Sequence, residues 1–147
     1  MNANELWLQF IEENNVKSSS YEAWAFGGEP DSLAKLVVEG KKIATASLMY
    51  WYENEDIPLP KAGDYSIILD SKDDAKCIIQ TTKVYVVPFN SVTKEHAQKE
   101  GEGDLSLSYW REVHREFFSS ELKSVNKSFN EQMDVVCEEF KLVYLPK

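Results

Sequence analysis

The spacing of apolar residues predicts two helices in the first third of the chain. The apolar residues of segment 6–11 fall on one face of a helix that Asn4 can cap and that ends near residue 15. A second, shorter helix is predicted from Asp31, as its N-cap, to Gly40, whose missing Cβ permits a left-handed C-cap. Segment 16–30 between them has no periodic pattern and predicts an irregular stretch.

Extended segments rich in β-branched and aromatic residues follow. They are 45–52, 65–69, 75–87 and 135–144. The third is long enough to be one bent strand or two. Two helices are predicted between the last two strands, over 91–99 and after a Ser106 cap. Curved strands favour an α+β fold in which a small barrel of about five strands is flanked by helices.

Composition and net charge leave the predicted fold unchanged but limit the molecules that the protein can bind. The chain has 147 residues, of which 43% are hydrophobic, and this fits one domain spanning 1–147 with its own core. A formal charge of −9 opposes binding to long nucleic acids, because that binding depends on Lys and Arg releasing counterions. We therefore expect a nucleic-acid partner to be short RNA, a nucleotide or a single nucleoside.

No segment predicts membrane insertion, export or a metal site. Residues 1–6 lack a basic stretch followed by an apolar core, and no uncharged run approaches the roughly 20 residues needed to cross a bilayer. Cys77 and Cys137 are too isolated for a disulfide framework, and with His96 and His114 they show no metal-ligand spacing. The sequence predicts a cytoplasmic protein with reduced thiols, no metal and no cofactor.

Segment 40–45, GKKIAT, places Lys42 three residues before Thr45. Its simplest interpretation is a helix C-terminus whose lysines complement the dipole, followed by a strand. The alternative is a site in which Lys42, a desolvated neutral amine, takes a proton from the Thr45 hydroxyl. That pairing requires a turn between them, because residues three apart lie on opposite sides of a strand. Lys41 is then the neighbour that faces solvent.

Segment 100–104, EGEGD, is the second candidate for chemistry. As an exposed acidic turn, it would favour the positive end of the helix that Ser106 caps. Its alternating glycines also let the backbone approach a ligand closely while Glu100, Glu102 and Asp104 project from it. The spacing alone leaves both interpretations open.

Five short motifs in this order resemble the ASCH domain superfamily, of PUA-like fold, and within it the YhfF-like branch. They are 21–27 (YEAWAFG), 40–47 (GKKIATAS), 100–107 (EGEGDLSL), 109–111 (YWR) with His114, and 137–140 (CEEF). The resemblance covers nearly the whole chain. It implies a small β-barrel with a cleft that binds RNA or nucleotides.

The resemblance also implies roles for three residues. Some small members are similar to amidohydrolases that remove the acetyl group of N(4)-acetylcytidine through a lysine, a threonine and a glutamate. Those roles fall on Lys42, Thr45 and Glu100, with Glu100 as the acid that protonates the leaving nitrogen. This chain is longer at its N-terminus and has Ser47 where an arginine often follows the threonine, and both departures concern the substrate more than the cleft.

Further residues complete the predicted substrate-binding set. Trp24 and Phe26 could stack on a flat base, although aromatic residues most often fill cores. Asp31 is a helix cap or a ligand for substrate, and His114 lies at the core edge or faces the cleft. The remaining members are Ser47, Glu102 and Asp104.

Three functions are compatible with these residues. The first is hydrolysis of an amide on an acylated nucleoside, and the second is binding of RNA or a nucleotide without chemistry. Ribonuclease activity is the least favoured, because the net charge opposes phosphodiester substrates. The enzymatic hypothesis requires Lys42, Thr45 and Glu100 to converge in one pocket, near hydrogen-bond reach at ~3 Å.

Overall fold

The computed structural model describes residues 1–17 and 20–147. Its helices are α1 (Ala3–Asn14), α2 (Pro30–Val38), α3 (Met49–Asn54), α4 (Lys94–Glu100) and α5 (Leu107–Lys123). Its strands are β1 (Glu22–Ala25), β2 (Ala44–Leu48), β3 (Tyr65–Leu69), β4 (Ala75–Pro88) and β5 (Asp134–Tyr144). A short 3-10 helix, Phe89–Ser91, follows β4.

The described strands form one five-stranded sheet in the order β1-β3-β4-β5-β2. Only β1 and β3 run parallel; the other three pairings are antiparallel. The sheet curls into a half-barrel that places its two edge strands, β1 and β2, on the walls of the same cavity. The predicted α+β fold with about five strands and flanking helices is confirmed.

The pairing of β4 with β5 forms the long centre of the sheet. Their register shifts between Ile78 and Ile79 and again between Thr81 and Lys83. Such irregularities bend a strand and increase its twist, and they let two long strands curl without breaking. The extended segment that begins at Ala75 is therefore one bent strand.

Helices α1 and α2 cover opposite faces of the same two strands. Leu6 and Trp7 of α1 pack with Ile67 and Ile78, whereas Val37 of α2 belongs to a cluster formed by the alternate positions of β3 and β4. Successive side chains of a strand point to opposite faces, so both faces of β3 and β4 are apolar and covered. Helix α5 covers a third cluster against β5.

The predicted N-caps of the first two helices were wrong. Asn2, not Asn4, caps α1, and its side chain accepts the backbone N–H of Glu5 at 2.9 Å. Helix α2 begins after Glu29 with Pro30 at its first position, so Asp31 is not its N-cap. Proline suits that position because its fixed φ is already helical and no N–H is lost there.

Two further differences follow from tertiary contacts. The segment predicted as irregular contains β1, an exposed four-residue strand whose partner is a parallel strand distant in sequence. The strand predicted over 45–52 ends at Leu48, and Met49–Asn54 form α3 instead. Tyr50, Trp51 and Tyr52 favour strands by propensity, but packing overrides a weak preference over so short a stretch. None of the described helices has the length and apolar composition needed to span a membrane.

Candidate active site

Lys42 lies between helix and strand and belongs to neither. Gly40 takes a φ of 77° after α2, and the backbone N–H groups of Lys41 and Lys42 both donate to the Leu36 carbonyl. The next residue, Ile43, donates its N–H to the Lys99 carbonyl at 2.8 Å, which ties this segment to the end of α4. Lys41 is exposed, while the side chain of Lys42 turns inward.

The Lys42 ammonium is buried between two carboxylates. Its Nζ lies 3.1 Å from Glu100 Oε1 and 2.8 Å from Glu102 Oε2, and it also donates to the Glu100 carbonyl oxygen at 3.4 Å. The side chains of Lys42 and Glu100 are each 1% exposed, and that of Glu102 is 17% exposed. Glu102 is therefore the member of this cluster that a ligand can reach most easily.

Four side chains face the Glu100 carboxylate, as hydrogen-bond donors or as positively charged neighbours. Lys42 and His114 Nε2 lie at 3.1 and 3.5 Å from Oε1, and His96 Nε2 and Trp110 Nε1 lie at 2.8 and 2.6 Å from Oε2. Burial alone would raise the pKa of Glu100, but the charges of Lys42 and His114 and the hydrogen bonds from both histidines hold it well below its usual range. Glu100 is thus a fixed carboxylate.

The protonation of His114 is set by its two neighbours. Nδ1 lies 2.8 Å from the Trp110 carbonyl, which can only accept, so Nδ1 carries a proton. Nε2 faces Glu100 Oε1, where a second proton is favoured. Burial alone would lower the pKa of His114, but the charge and hydrogen bond of Glu100 raise it above its usual value. The ring also stacks on Trp110, with centroids 4.1 Å apart.

Gly101 allows two distant segments to touch. It has a φ of 71°, and a Cβ placed there would lie 2.1 Å from the Lys41 carbonyl oxygen. Only glycine meets both conditions without displacing the backbone. The loop that carries Glu100 and Glu102 is consequently held against the segment that carries Lys42.

Lys42, Glu100, Glu102 and His114 line the smaller of two adjoining chambers, with a volume of about 390 Å³. Lys42, Thr45 and Glu100 all line it, as do the predicted binding residues Phe26, Glu102 and His114. The hydrogen bonds of Lys42 Nζ go to Glu100 and Glu102, and within the described ranges none joins it to Thr45. Lys42 and Thr45 thus line the same cavity without a hydrogen bond between them in the described part of the chain.

A larger chamber of about 690 Å³ adjoins the first. It contains the predicted binding residues Trp24 and Ser47. The residues common to both chambers are Phe26, Gly27, Thr45, Ala46 and Phe117. Thr45 therefore stands at the junction, where one ligand can extend into both.

Two predicted binding residues lie outside both chambers. Asp31 accepts hydrogen bonds from the backbone N–H and the hydroxyl of Ser71, at 2.8 and 3.0 Å, and so fixes the turn between β3 and β4. Asp104 is exposed and accepts the backbone N–H of Ser106 at 2.9 Å, at the start of α5. The structure gives both residues local structural contacts instead of a place in the cleft.

Sequence reasoning missed His96 and Trp110 as partners of Glu100. Both carry a periodic signal, because His96 and Glu100 are four residues apart on α4, and Trp110 and His114 are four apart on α5. On α5, Phe118 is buried, whereas Phe117 lines both chambers.

Comparison with known proteins identifies the family. A family model described as ASCH domain matches residues 22–144. The chain belongs to the ASCH family. A solved ASCH domain from Lactobacillus crispatus JV V101 is similar to it, with 34% identity and a TM-score of 0.90, over 96% of this chain and 93% of that chain.

Other solved structures extend the comparison. An Enterococcus faecalis V583 protein, described by the family model DUF984, is 38% identical with a TM-score of 0.90, over 98% of this chain and 89% of that chain. ASCH from Zymomonas mobilis is 11% identical with a TM-score of 0.52, over 85% of this chain and 71% of that chain, a likeness of fold alone. No curated protein matches this ASCH domain significantly.

Two glutamate side chains and one histidine side chain of the ASCH domain are close enough to bind one cation together. Ligand atoms of Glu100, Glu102 and His114 lie within 4.8 Å of one another. The Lys42 ammonium, however, already bonds the carboxylates of both glutamates. A metal ion would have to displace that ammonium, so these residues fit a lysine site better than a metal site.

The stability of the ASCH domain is expected to be greatest between about pH 4.5 and 6.5, the ordinary pKa values of Glu and His. Glu100, with a lowered folded pKa, contributes stability above the first value that is lost as the pH falls towards its folded pKa. His114, with a raised folded pKa, contributes stability below the second value that is lost as the pH rises through its folded pKa. Urea unfolding at pH values below and above this range measures the acid and the alkaline declines. The alkaline decline should shrink in His114→Gln, and an unchanged decline there would contradict the assignment.

Proposed function

We propose that this ASCH domain hydrolyses an amide bond on a planar heterocycle, with an acylated nucleoside such as N(4)-acetylcytidine as the substrate type. The observation that supports this is the shared chamber of a lysine, a threonine and a glutamate that are far apart in sequence. Cavities of a few hundred Å³ with a few convergent polar groups suit small ligands. A chamber of this size accommodates the acyl group and part of the ring.

The pair formed by Lys42 and Glu102 supplies the proton transfers. Lys42 gives one proton to Glu102 across 2.8 Å and then takes the proton of the Thr45 hydroxyl as Oγ1 bonds to the acyl carbon. The C–N bond breaks, and Glu102 gives its proton to the leaving nitrogen. Water then attacks the Thr45 ester, giving a carboxylic acid and returning a proton to Thr45. No oxidant, reductant or metal is required.

Glu100 is better suited to positioning than to proton donation. Nearby positive charges and hydrogen bonds outweigh the effect of burial and hold the pKa of Glu100 well below its usual range. At neutral pH this carboxylate therefore has no proton to give. It instead fixes the side chain of Lys42. We therefore assign the acid step to Glu102, where the family resemblance gave it to Glu100.

The aromatic residues at the junction favour a flat substrate. Phe26 and Phe117 line both chambers. Lys42 Nζ lies 5.2 Å from the centroid of Phe26. A Cβ on Gly27 would lie 2.3 Å from Phe117 Cζ, so the glycine leaves space for that ring. A base can stack here while its exocyclic amide approaches Thr45.

Turnover of N(4)-acetylcytidine by the purified chain tests this proposal, with cytidine and acetate as products. We expect Thr45→Val, which removes the hydroxyl at nearly constant volume, to lower kcat by about 10²-fold, because water must then attack directly. Thr45→Ser is the matched control and should retain most activity. Equal rates for Thr45→Val and the wild type would exclude Thr45 as the nucleophile.

A second candidate is binding of a nucleoside, nucleotide or short RNA without chemistry. It is favoured by the hydrogen bonds of Lys42, which satisfy its ammonium through Glu100 and Glu102 before any ligand arrives. Saturable binding of cytidine with no release of acetate from N(4)-acetylcytidine would support this candidate over hydrolysis.

A further inference from the structure

The larger chamber differs in chemistry from the site of the proposed reaction. Its walls come from both edge strands, from α3, from the segment between α3 and β3, and from α5. Aromatic side chains on these walls include Trp24, Trp51 and Tyr52. Aromatic faces beside hydrogen-bonding groups suit a ligand that has an apolar face and polar edges.

Glu138 is a buried carboxyl group in this chamber. Its side chain extends from β5, the residue is 8% exposed, and Oε2 accepts the Thr81 hydroxyl at 2.6 Å. Thr81 is the only described residue with a hydrogen bond to that carboxyl. Because a carboxyl group has capacity for several hydrogen bonds, Glu138 has unused capacity beside the cavity.

Trp51 presents a buried hydrogen-bond donor beside this chamber. Its indole Nε1 is buried and makes no hydrogen bond within residues 1–17 and 20–147. Glu121 lies nearby: burial raises the pKa of its carboxyl group, and the Trp51 indole opposes that rise. A buried donor of this kind favours a ligand that brings an acceptor.

The charges around this chamber are mainly negative. Its acidic lining residues are Glu22 from β1, Asp64 before β3, Glu121 from α5 and Glu138 from β5. Lys61 is the one basic residue lining it, and its exposed ammonium lies 3.7 Å from Asp64. A phosphate would meet uncompensated repulsion here, whereas neutral hydroxyl groups would not.

We infer that the larger chamber binds the sugar of an unphosphorylated nucleoside. Hydroxyl groups can donate to Glu138 and accept from Trp51, which neither an ammonium ion nor a hydrocarbon can do together. The junction at Thr45 then holds the base, with its amide in the smaller chamber. This inference rests on the proposed function, because the sugar belongs to the nucleoside whose amide is cleaved.

Three substrates distinguish the effect of the sugar on kcat/KM from the effect of the phosphate. We expect kcat/KM for N(4)-acetylcytidine to exceed that for N(4)-acetylcytosine and for N(4)-acetylcytidine 5′-monophosphate, each by about tenfold. Glu138→Gln keeps an oxygen for Thr81 but loses the charge. It should lower kcat/KM for the nucleoside, leave that for the free base unchanged and reduce the discrimination against the monophosphate. Glu12→Gln, an exposed change on α1, is the matched control.

Binding measurements separate failure of this inference from failure of the proposed function. If no substrate is turned over, calorimetric titration with cytidine, cytosine and cytidine 5′-monophosphate still reports on the chamber. Preference for cytidine that is lost in Glu138→Gln would support the inference without hydrolysis. Turnover that is equal for nucleoside and base, and unaffected by Glu138→Gln, would overturn it while leaving the proposed function intact.

Discussion

Replacing Glu100 by alanine is expected to lower the free energy of unfolding by about 3–5 kcal/mol. The substitution removes the common acceptor of His96, His114 and Trp110 and one of the two carboxylates that face Lys42. The Trp110 indole and both histidines would then be buried with an unmet hydrogen bond, which is costly. Urea unfolding monitored by tryptophan fluorescence measures the loss.

Two controls distinguish this effect from a general loss of charge on α4. Glu95→Ala removes an exposed carboxylate from the first turn of the same helix, where its interaction with the helix dipole is worth about 0.3–1 kcal/mol. Glu102→Ala removes the more accessible partner of Lys42 and should be intermediate. Similar losses for the Glu95 and Glu100 variants would show that the buried hydrogen bonds contribute little.

The parts of the fold predicted from sequence are those governed by local chemistry. Ser106 caps α5 as expected, because its hydroxyl accepts the Tyr109 N–H at 3.0 Å. The left-handed Gly40 and the β3, β4 and β5 segments were also predicted, since turn residues and β-branched runs signal them directly. Strand β1 gave no such signal, because its formation depends on pairing with β3.

The sequence indicated which residues belong to the candidate site better than it indicated which of them contact one another. Lys42, Thr45 and Glu100 line one chamber, but among the described residues only Lys42 and Glu100 lie within hydrogen-bond distance of each other. The sequence indicated a pair between Lys42 and Thr45, whereas the structure pairs Lys42 with Glu100 and Glu102. Contacts between residues so far apart in the chain depend on how α4 meets the start of β2, and no local pattern encodes that.

Lys42→Met is expected to lower kcat for N(4)-acetylcytidine by about 10³–10⁴-fold, beyond the effect of losing the Thr45 hydroxyl. Methionine fills a similar volume but can neither carry protons between Thr45 and Glu102 nor place positive charge near the developing oxyanion. Because KM depends mainly on contacts with the base and sugar, it should change far less than kcat. Steady-state kinetics with acetate detection measures both constants.

Lys41→Met is the matched control, since Lys41 is the exposed neighbour whose ammonium lies 3.6 Å from Glu39. It should retain wild-type kcat. Circular dichroism and a cooperative urea transition would establish that the Lys42 variant remains folded. A folded Lys42→Met protein with near wild-type kcat would refute the role given to the lysine.

The contact of Gly101 with Lys41 has a consequence for how the chain folds. Lys42 and Glu100 are 58 residues apart, and neither charge can leave water favourably until the other is in place. We therefore expect the segments that carry Lys42 and Glu100 to exclude solvent together, and an intermediate that buries only one of these charges to be unstable. Burial of this ion pair is thereby favourable only once the tertiary structure is complete.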